Sequence, residues 1–448
     1  MDRTIPGKDF RSQPLDAPLP GAWRTVTILT LLYWFGTLDR QVAALLIPDI
    51  KKDLTLSDFE VSLIQGLGFG LLYMLMSPFM GWLVDRISRR FILFGCTIGW
   101  SLSAMCSGLA RGFGGLFAAR AGVGGFEAAL NPTSYAMLGD LFPPKKLALP
   151  MSVYVLGGNL GSGMSFLVGG AVIAWIMSNP EHVLPFVGPL SGWQMAFVVT
   201  GAPGLLLAPL IWLARDPRMA RKEPMVQTGF GDLWRHITQH KAFYLLHHIG
   251  FGLIMSLIVG LQSWNSAYLS RHFGWDLATI GYTLGATQLG SALLGLVFHG
   301  WAVDKMFARG RTDAHLVYFM AMALLAAPAL MIAYTASSAM VMVVAYNIAY
   351  FLVMSFASVG PAALQIATPA PLRGKASSVY MVFLTVIGTM LGPVFVALIT
   401  DFVFADEASL GLSMAIFGTA CALLAAASFH FGRVPMRRAV ASAINPPA

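Results

Sequence analysis

Residues 81–90 read GWLVDRISRR, a short charged stretch that follows a long apolar one. The first five letters return with one change as GWAVD at 300–304, an offset of 219 residues. A second string, SVY, occurs at 152–154 and again at 378–380, an offset of 226 residues. Two matches at nearly the same spacing indicate an internal duplication. The chain is therefore predicted to fold as two similar units.

The composition excludes a water-soluble protein of this size. Of 448 residues, 56% are hydrophobic and only 11% are charged, whereas soluble domains carry about 25% charged residues. Apolar stretches of about 20 residues recur along the chain, which is the length that a helix needs to cross a bilayer. These stretches are continuous rather than alternating, so a β-barrel does not fit. The pattern predicts an all-α membrane protein.

Twelve apolar stretches, called segments 1 to 12, are predicted to span the membrane. The first six lie at 24–48, 58–83, 90–110, 113–141, 147–175 and 193–214. The second six lie at 241–271, 276–304, 314–335, 338–366, 373–402 and 408–432. The predicted domains are an N-terminal tail at 1–22, a first six-helix bundle at 23–214 and a linker at 215–240. A second six-helix bundle at 241–432 and a C-terminal tail at 433–448 follow. Parallel repeats of this kind predict two six-helix bundles related by an axis along the membrane normal.

The net charge of +8 could indicate nucleic-acid binding, but the placement of the basic residues favours a topological role. If both termini are cytoplasmic and residues at segment ends are counted with the adjacent side, 23 of the 29 Lys and Arg residues fall on the cytoplasmic side, four on the other and two, Arg40 and Arg120, deep inside segments. This asymmetry follows the positive-inside rule. The sequence thus predicts a multi-pass protein of the cell (inner) membrane, a monomer with both termini cytoplasmic and no nucleic-acid partner.

The stretch at 81–90 resembles the signature loop of the major facilitator superfamily, G-x-L-x-D-R-x-G-R-R. Ser88 replaces the second glycine, and Lys305 stands in the second copy where the arginine is expected. The resemblance implies the major facilitator fold, in which two pseudo-symmetric bundles of six helices form a transporter. It also implies a cytoplasmic gate at this loop, with candidate residues Gly81, Asp85, Arg86, Arg89, Arg90 and Asp304.

The gating residues have specific expected roles. Gly81 should form a tight turn, and Asp85 should neutralise Arg86 or Arg89. Asp85 should also face the N-terminus of segment 11, where the helix dipole favours a negative charge. Asp304 should act as a weaker latch. The alternative is a solvated basic turn that serves only topology.

Segment 4 reads RAGVGGFEA at 120–128, continues with NP at 131–132 and leaves the membrane with DLFPP at 140–144. Together with LDRQ at 38–41 and GGNLGSG at 157–163, these strings resemble the spinster branch of the superfamily, bacterial type. The resemblance covers most of the first half and little of the second. One position departs from the family pattern, because Phe126 stands where spinster proteins have glycine. A narrower cavity wall is expected there, and Phe126 is a candidate substrate contact.

Segments 1 and 4 also carry charges inside the membrane, and such charges are costly enough to indicate function. Asp39 and Arg120 should lie at the same depth and form an ion pair. Glu127 lies two turns beyond Arg120 on the same helix face, roughly 10 Å closer to the cytoplasm. Arg40 points about 100° away from Asp39 along the helix. Asp39 and Glu127 are predicted to couple protons, and Arg120 and Arg40 to bind substrate; a purely structural cluster is the alternative.

The second half offers weaker candidates. Gln262 and Asn265 in segment 7 and Gln288 in segment 8 could line the cavity, or they could only make polar contacts between helices. His247 and His248 at the start of segment 7 could titrate near neutral pH. An interfacial pair whose rings reach towards water is the favoured interpretation of these two histidines.

Three function classes compete for a chain of this kind: a secondary transporter, a pump or channel, and a membrane enzyme. The sequence has no G-x-x-x-x-G-K-[ST] string for a nucleotide and no filter loop. Its buried ionisable residues supply neither a metal cluster nor a nucleophile with a base. The prediction is a secondary active transporter that works by alternating access, is not an enzyme and needs no cofactor.

The spinster resemblance implies an amphipathic anionic substrate, such as a lysophospholipid or a sphingosine-phosphate-like lipid, with protons as the driving ion. Small organic anions such as sugar acids are the alternative, because symporters of such anions in the same superfamily share an R-x6-E pattern in helix 4. Few other cations are buried in the segments, and this favours a substrate with a single anionic head.

Overall fold

Long helices make up nearly all of the chain that the computed structural model describes. The described residues are 18–84, 86–142, 148–178, 183–184, 188–216, 230–369 and 372–444. An apolar run in lipid must satisfy its own backbone hydrogen bonds, and the α-helix does so within a single segment. Ten helices among the described residues are long and apolar enough to cross a membrane.

The other two predicted segments are 1 and 4, which are helical but fall outside that set of ten. Both carry charges within their apolar runs, Asp39 and Arg40 in segment 1 and Arg120 and Glu127 in segment 4. These charges lower the mean hydropathy of the two segments. The structure is therefore consistent with twelve spanning segments. The two that are less apolar, segments 1 and 4, contain the candidate site.

The helices of the first half follow the predicted order. Segments 1 to 3 comprise Ala22–Leu45 with the short helix Ile47–Leu54, then Asp58–Ser62, the π-helix Leu63–Gly68 and Phe69–Val84, then Arg89–Ser107. Segments 4 to 6 comprise Phe113–Glu127 with Leu130–Leu141, then Ala148–Met177, then Gly192–Leu207 with the 3-10 helix Ala208–Leu213. Between segments 5 and 6, β1 (Val183–Leu184) pairs antiparallel with β2 (Gly188–Pro189).

The second half repeats the arrangement. A linker helix, Phe230–Gln239, precedes segment 7 (Lys241–Phe273), segment 8 (Leu277–Ala308) and segment 9 (Ala314–Thr335). Segments 10 to 12 comprise Ala339–Val353 with Phe356–Ala367, then Arg373–Phe383, Leu384–Met390, Leu391–Leu398 and Ile399–Phe404, then Glu407–Ser409 with Leu410–Ile444. In segment 11, Leu384–Met390 and Ile399–Phe404 are π-helical. Segment 4 breaks after Glu127 and segment 10 after Val353, which repeats the offset of 226 residues between the SVY strings.

The largest difference between a predicted and an observed boundary is in segment 12. Segment 12 was expected to end at residue 432, but its helix continues to Ile444. Met436, Ala439 and Val440 are fully buried in that extension, and Arg437 bonds to Asp313 at 2.9 Å. The extension is amphipathic, so packing against the bundle continues the helix beyond the apolar run.

The same helix pairs contact each other in both halves. Segments 1 and 5, 2 and 4, 3 and 4, and 3 and 6 pack together in the first half, as do 7 and 11, 8 and 10, 9 and 10, and 9 and 12 in the second. Segment 5 packs on segment 8, and segment 2 on segment 11, across the two halves. At the second of these contacts, a Cβ on Gly66 would lie 2.5 Å from the carbonyl oxygen of Met390, so only glycine fits there.

The buried core shows where the halves are joined. We call the end of the bundle where segment 1 begins the termini end, and the opposite end the far end. One apolar cluster includes the second half together with far-end residues of the first, such as Leu38, Val42 and Ile173. A separate cluster fills the termini end of the first half, with Val26, Leu138 and others. The halves thus share a core at the far end.

Candidate functional site

Asp39 and Arg120 form a buried ion pair between segments 1 and 4. The Nη1 atom of Arg120 donates to Oδ2 of Asp39, and the two residues are 6% and 2% exposed. The sequence-based prediction of this pair is confirmed by the geometry. Among the described residues, Oδ1 of Asp39 and Nε of Arg120 have no hydrogen-bond partner. The pair is therefore buried, and its hydrogen-bonding capacity is incompletely satisfied.

A second ion pair, which was not predicted, joins the same two segments. Nη2 of Arg40 lies 3.1 Å from Oε1 of Glu127, and the guanidinium stands 5.0 Å from the ring centre of Phe69. The Arg40 side chain is 31% exposed, whereas that of Glu127 is 4% exposed. A Cβ on Gly36 would lie 3.1 Å from Oε1 of Glu127, so a glycine on segment 1 makes room for the carboxylate.

The two pairs make a neutral set of four charges with unequal access. Asp39 and Arg40 are adjacent on segment 1 and project in different directions, yet both reach segment 4 because the arginine side chain is long. The Arg120 side chain is 2% exposed and borders a small, mostly apolar cavity, whereas that of Arg40 is 31% exposed. Of the two arginines, Arg40 is therefore the more exposed.

A polar aromatic group lies next to the second pair, and the sequence analysis missed it. Asn131 accepts a hydrogen bond from the hydroxyl of Tyr154 at 2.7 Å and donates to that of Tyr73 at 3.4 Å. Tyr33 stacks on Tyr154 with ring centres 4.9 Å apart, and Tyr135 is 38% exposed. The spacing gave a usable signal, because Asn131 follows Glu127 by four residues, which is about one helical turn.

Phe126 and Glu127 contact different neighbouring segments. Its ring covers Gly99 of segment 3, where an added Cβ would meet the ring at 2.5 Å. Glu127, one residue later, faces segment 1 instead. Phe126 and Glu127 thus point about 100° apart, and the narrowing of the cavity wall and the substrate contact at Phe126, which is 40% exposed, stay predictions.

The three polar candidates of the second half make contacts between helices. Nε2 of Gln262 donates to Oε1 of Gln288 at 2.9 Å, which joins segments 7 and 8. Asn265 accepts from the hydroxyl of Tyr334 at 2.7 Å and is fully buried. Nδ2 of Asn265 and Nε2 of Gln288 have no partner among the described residues. These contacts fit the packing interpretation, and a role in substrate binding stays a prediction.

His247 and His248 are buried rather than interfacial. Their exposed fractions are 0% and 2%, and Nε2 of His247 lies 2.9 Å from the carbonyl oxygen of Gly360 in segment 10. The favoured prediction, a pair that reaches towards water, is wrong. Segment 7 begins at Lys241, so both histidines lie well inside the helix and face neighbouring segments.

The described gating residues lie at the termini end, and the helical position of Gly81 and the contacts of Arg89 were not predicted from the sequence. Gly81 is inside the helix Phe69–Val84 and a Cβ there would meet open space, so it forms no tight turn. Arg89 is buried, bonds to Asp140 at 2.7 Å and donates its backbone N–H to Asp216 at 3.0 Å. Asp85 lies outside the described residues. Arg90 is half-buried, and Arg86 and Asp304 are exposed.

Comparison with known proteins gives consistent matches. The family model described as Major Facilitator Superfamily matches residues 29–393. An MFS-type efflux pump from Mycolicibacterium smegmatis is 27% identical over 421 residues, which are 91% of this chain and 94% of that protein. Protein spinster from Drosophila melanogaster is 25% identical over 250 residues, 55% of this chain and 39% of that protein. The hexuronate transporter of Escherichia coli (strain K12) is 24% identical over 225 residues, 50% of this chain and 45% of that protein.

A solved structure matches over almost the whole chain. It is the crystal structure of a bacterial homolog to the human lysosomal transporter spinster, in an inward-facing and unoccupied conformation. The TM-score is 0.79 at 22% sequence identity, and the match covers 96% of this chain and 100% of that chain. Similarity at this level of identity establishes a shared fold.

Proposed function

Because the chain belongs to the Major Facilitator Superfamily, whose members are transporters, we propose that it is a proton-coupled secondary transporter of an amphipathic anion. Within the superfamily it resembles the spinster proteins. The proposed substrate is lipid-like, with one anionic head, such as a lysophospholipid or a sphingosine-phosphate-like lipid.

The observation that carries this proposal is the double ion pair between segments 1 and 4. Four buried or half-buried charges within the membrane would be costly without a function. They form two pairs that share no partner, Asp39 with Arg120 and Arg40 with Glu127. One pair is buried and the other is partly exposed, so the exposed pair can exchange its partner with a ligand.

We assign the first contact of the substrate to Arg40, although sequence reasoning favoured Arg120. An anionic head that approaches the exposed guanidinium competes with Glu127 for it. A planar guanidinium suits phosphate or carboxylate oxygens because it donates two parallel hydrogen bonds. Glu127, released in a low-dielectric site, then takes up a proton. Substrate binding and proton binding become linked, and such linkage is reciprocal.

In this proposal Asp39 keeps Arg120 neutralised while the second pair changes partners. The proton thus resides on Glu127 during the coupled step, and Asp39 is a second proton-coupling candidate. Arg120 holds segments 1 and 4 at a fixed separation. Through its ion pair with Arg120, Asp39 therefore also holds segments 1 and 4 in position around the Arg40 and Glu127 pair.

The sugar-acid alternative is favoured by one specific observation. The group of Tyr73, Asn131 and Tyr154 offers neutral hydrogen-bonding atoms close to Arg40, which would suit the hydroxyl groups of a hexuronate. Uptake by proteoliposomes distinguishes the two candidates. A labelled lysophospholipid should accumulate and labelled galacturonate should not; the reverse result would move the assignment to small organic anions.

The proton assignment is tested by Glu127→Gln in proteoliposomes with an imposed pH gradient. The variant should lose pH-driven accumulation but keep substrate binding and counterflow, since exchange needs no net proton movement. Glu60→Gln, the same change at the cap of segment 2, is the matched control and should behave like the wild type. Accumulation by Glu127→Gln at the wild-type level would exclude Glu127 as the proton carrier.

We also propose that the termini end faces the cytoplasm, as the distribution of basic residues suggests. The loop at 81–90 would then lie beside the cytoplasmic gate. Asp85→Asn should increase the labelling of cysteines placed near residue 373 at the start of segment 11. Unchanged labelling together with normal transport would contradict a latch role for Asp85.

A further inference from the structure

Four charged residues form a connected cluster at the far end, across the junction of the two halves. We call Lys51, Asp58, Arg271 and Glu407 the far-end quartet. Lys51 and Asp58 belong to the first half, and Arg271 and Glu407 to the second. Arg271 donates to both carboxylate oxygens of Asp58 at 2.7 Å, and Lys51 lies 2.5 Å from Glu407. Two ion pairs thus connect the halves.

The quartet also contains two pairs that stay within one half. Nζ of Lys51 lies 2.7 Å from Oδ1 of Asp58, and Nη1 of Arg271 lies 3.8 Å from Oε2 of Glu407. Each half contributes one cation and one anion. Each half of the quartet is therefore neutral by itself.

The environment makes these contacts strong. The Asp58 side chain is 0% exposed and those of Lys51 and Arg271 are 14% and 22% exposed, whereas Glu407 is open to solvent at 60%. Bidentate pairing of a guanidinium with a buried carboxylate is among the stronger interactions available to a protein. Leaving a buried charge without any partner would be strongly unfavourable.

Neighbouring groups hold the quartet in place. The backbone N–H of Phe59 donates to Asp401 of segment 11 at 2.8 Å, and the hydroxyl of Ser266 donates to the carbonyl oxygen of Leu45 at 2.8 Å. The guanidinium of Arg271 stands 5.9 Å from the ring centre of Trp264. The first two contacts also cross the junction, and the third one holds the guanidinium of Arg271. Asp401 is a further carboxylate near the quartet.

We propose that the far-end quartet is a gate that opens by exchange of partners. With the far end closed, Asp58 binds Arg271 and Lys51 binds Glu407. When the halves separate, Lys51 stays with Asp58 and Arg271 closes on Glu407. No charge of the quartet is stranded in either state, so the gate can hold firmly and still open. This inference goes beyond the proposed function, because it concerns the conformational cycle and not the substrate.

An exchange gate and a simple ion-pair lock respond differently to one set of substitutions. If the quartet were a simple lock, the double variant Asp58→Arg with Arg271→Asp would behave like the wild type, because the two exchanged residues would still attract each other. We call this variant the crossing double variant. In the exchange gate the same double variant places two cations on the first half and two anions on the second. Neither half is then neutral, and attraction should keep the far end closed.

The experiment measures the distance between spin labels at the far end in nanodiscs. Labels are attached through Gly114→Cys and Ala408→Cys, at two exposed positions in opposite halves. The native cysteines are replaced in this background; they are Cys96, Cys106 and Cys421. An added Cβ at Gly114 meets open space, so the label should not disturb the helix. No substrate is needed, and the result is independent of the substrate and proton assignments.

Arg271→Gln should raise the population with long distances by about tenfold, the scale of a lost charge-assisted hydrogen bond. In the crossing double variant, the population with long distances between the spin labels should disappear. The fourfold variant, which adds Lys51→Glu and Glu407→Lys to the crossing double variant, makes each half neutral again and should recover opening. Asp53→Asn is the control, because Asp53 bonds to Ser191 and Trp193 within the first half.

Two results would overturn the gate. A wild-type distance distribution in the crossing double variant would reduce the quartet to a simple lock, and an unchanged distribution in Arg271→Gln would exclude a gating role altogether. If the crossing variant fails to fold, the fourfold variant still decides: failure to open would contradict the exchange mechanism.

Discussion

The two halves of the molecule have equivalent helix packing and very different polar interiors. Segments 1 and 4 hold two ion pairs, whereas segments 7, 8 and 9 are joined by neutral hydrogen bonds. The residue 226 positions after Arg120 is Tyr346, a buried phenol. The fold therefore does not need charges at these positions, because the second half packs without them.

This difference separates what the fold requires from what the proposed function requires. A neutral hydrogen bond between membrane helices contributes about 0.6 kcal/mol on average. A charge at a helix centre costs about 2.5–3.5 kcal/mol on insertion scales. Among the described residues, ion pairs inside the spanning helices occur in the first half, whereas those of the second half, such as Arg437 with Asp313, lie at helix ends. This difference points to a task that the first half performs. We expect proton coupling to reside in the first half and the second half to serve as its packing partner.

The largest expected effect concerns the buried pair of Asp39 with Arg120. Asp39→Ala leaves the guanidinium of Arg120 buried and unpaired, and should lower the free energy of unfolding by about 3–5 kcal/mol. Adding Arg120→Met removes the unpaired charge and should recover most of the loss. Denaturation of the purified protein in detergent measures both. The contrast between the halves would be contradicted if Asp39→Ala lowered the free energy of unfolding by no more than Gln262→Ala does.

A smaller effect is expected for substrate affinity. Arg40→Lys keeps the charge but loses the planar fork, and should weaken binding of the anionic substrate by about tenfold or more. Gln288→Leu in the second half should change the affinity by less than about twofold, because it removes a single neutral partner. Binding of a labelled lysophospholipid checks this. Similar losses in both variants would instead place the second-half candidates in the binding site.

The third prediction tests whether the second-half polar contacts serve packing. Gln262→Leu leaves the amide of Gln288 buried without its partner and should cost about 1–3 kcal/mol of stability. Replacing both residues by leucine should recover part of that loss, because the Gln288 amide is then absent and only the Tyr350 hydroxyl, which also bonds to Gln262, loses a partner. Thermal unfolding measures the stability, and uptake measures transport. Loss of transport in a stable double variant would reveal a functional role.

The smallest effect concerns equivalent caps in the two halves. Ser57 caps segment 2 and Asp276 caps segment 8, so Ser57→Ala and Asp276→Ala should each cost about 1 kcal/mol. Hydrogen bonds from the Thr279 side chain and backbone N–H lower the pKa of Asp276 below its ordinary value. Its stabilisation should thus be complete above about pH 4 and be lost as the pH falls further. Stability of Asp276→Ala relative to the wild type, measured from pH 6 to about pH 3, should show the difference shrink; a constant difference would contradict this assignment.

Sequence reasoning identified the components of the site better than their arrangement. The Asp39 and Arg120 pair was predictable because helix rise alone puts the two residues at one depth. The Arg40 and Glu127 pair was missed because rotation along the helix points Arg40 away from Asp39, and the length of its side chain overcomes that rotation. The direction of the Phe126 ring was not predictable, because the family pattern does not say which neighbouring segment the ring contacts.

By itself, the sequence determined the helical segments, the duplication and the two segments that carry buried charges. These properties depend on local composition and on the need of a helix in lipid to satisfy its own backbone. The tertiary structure decided which arginine of the site is more exposed, and it brought together Lys51 and Glu407 from opposite halves of the chain. Such partners depend on how helices rotate and pack against one another, and neither quantity is fixed by spacing along a single segment.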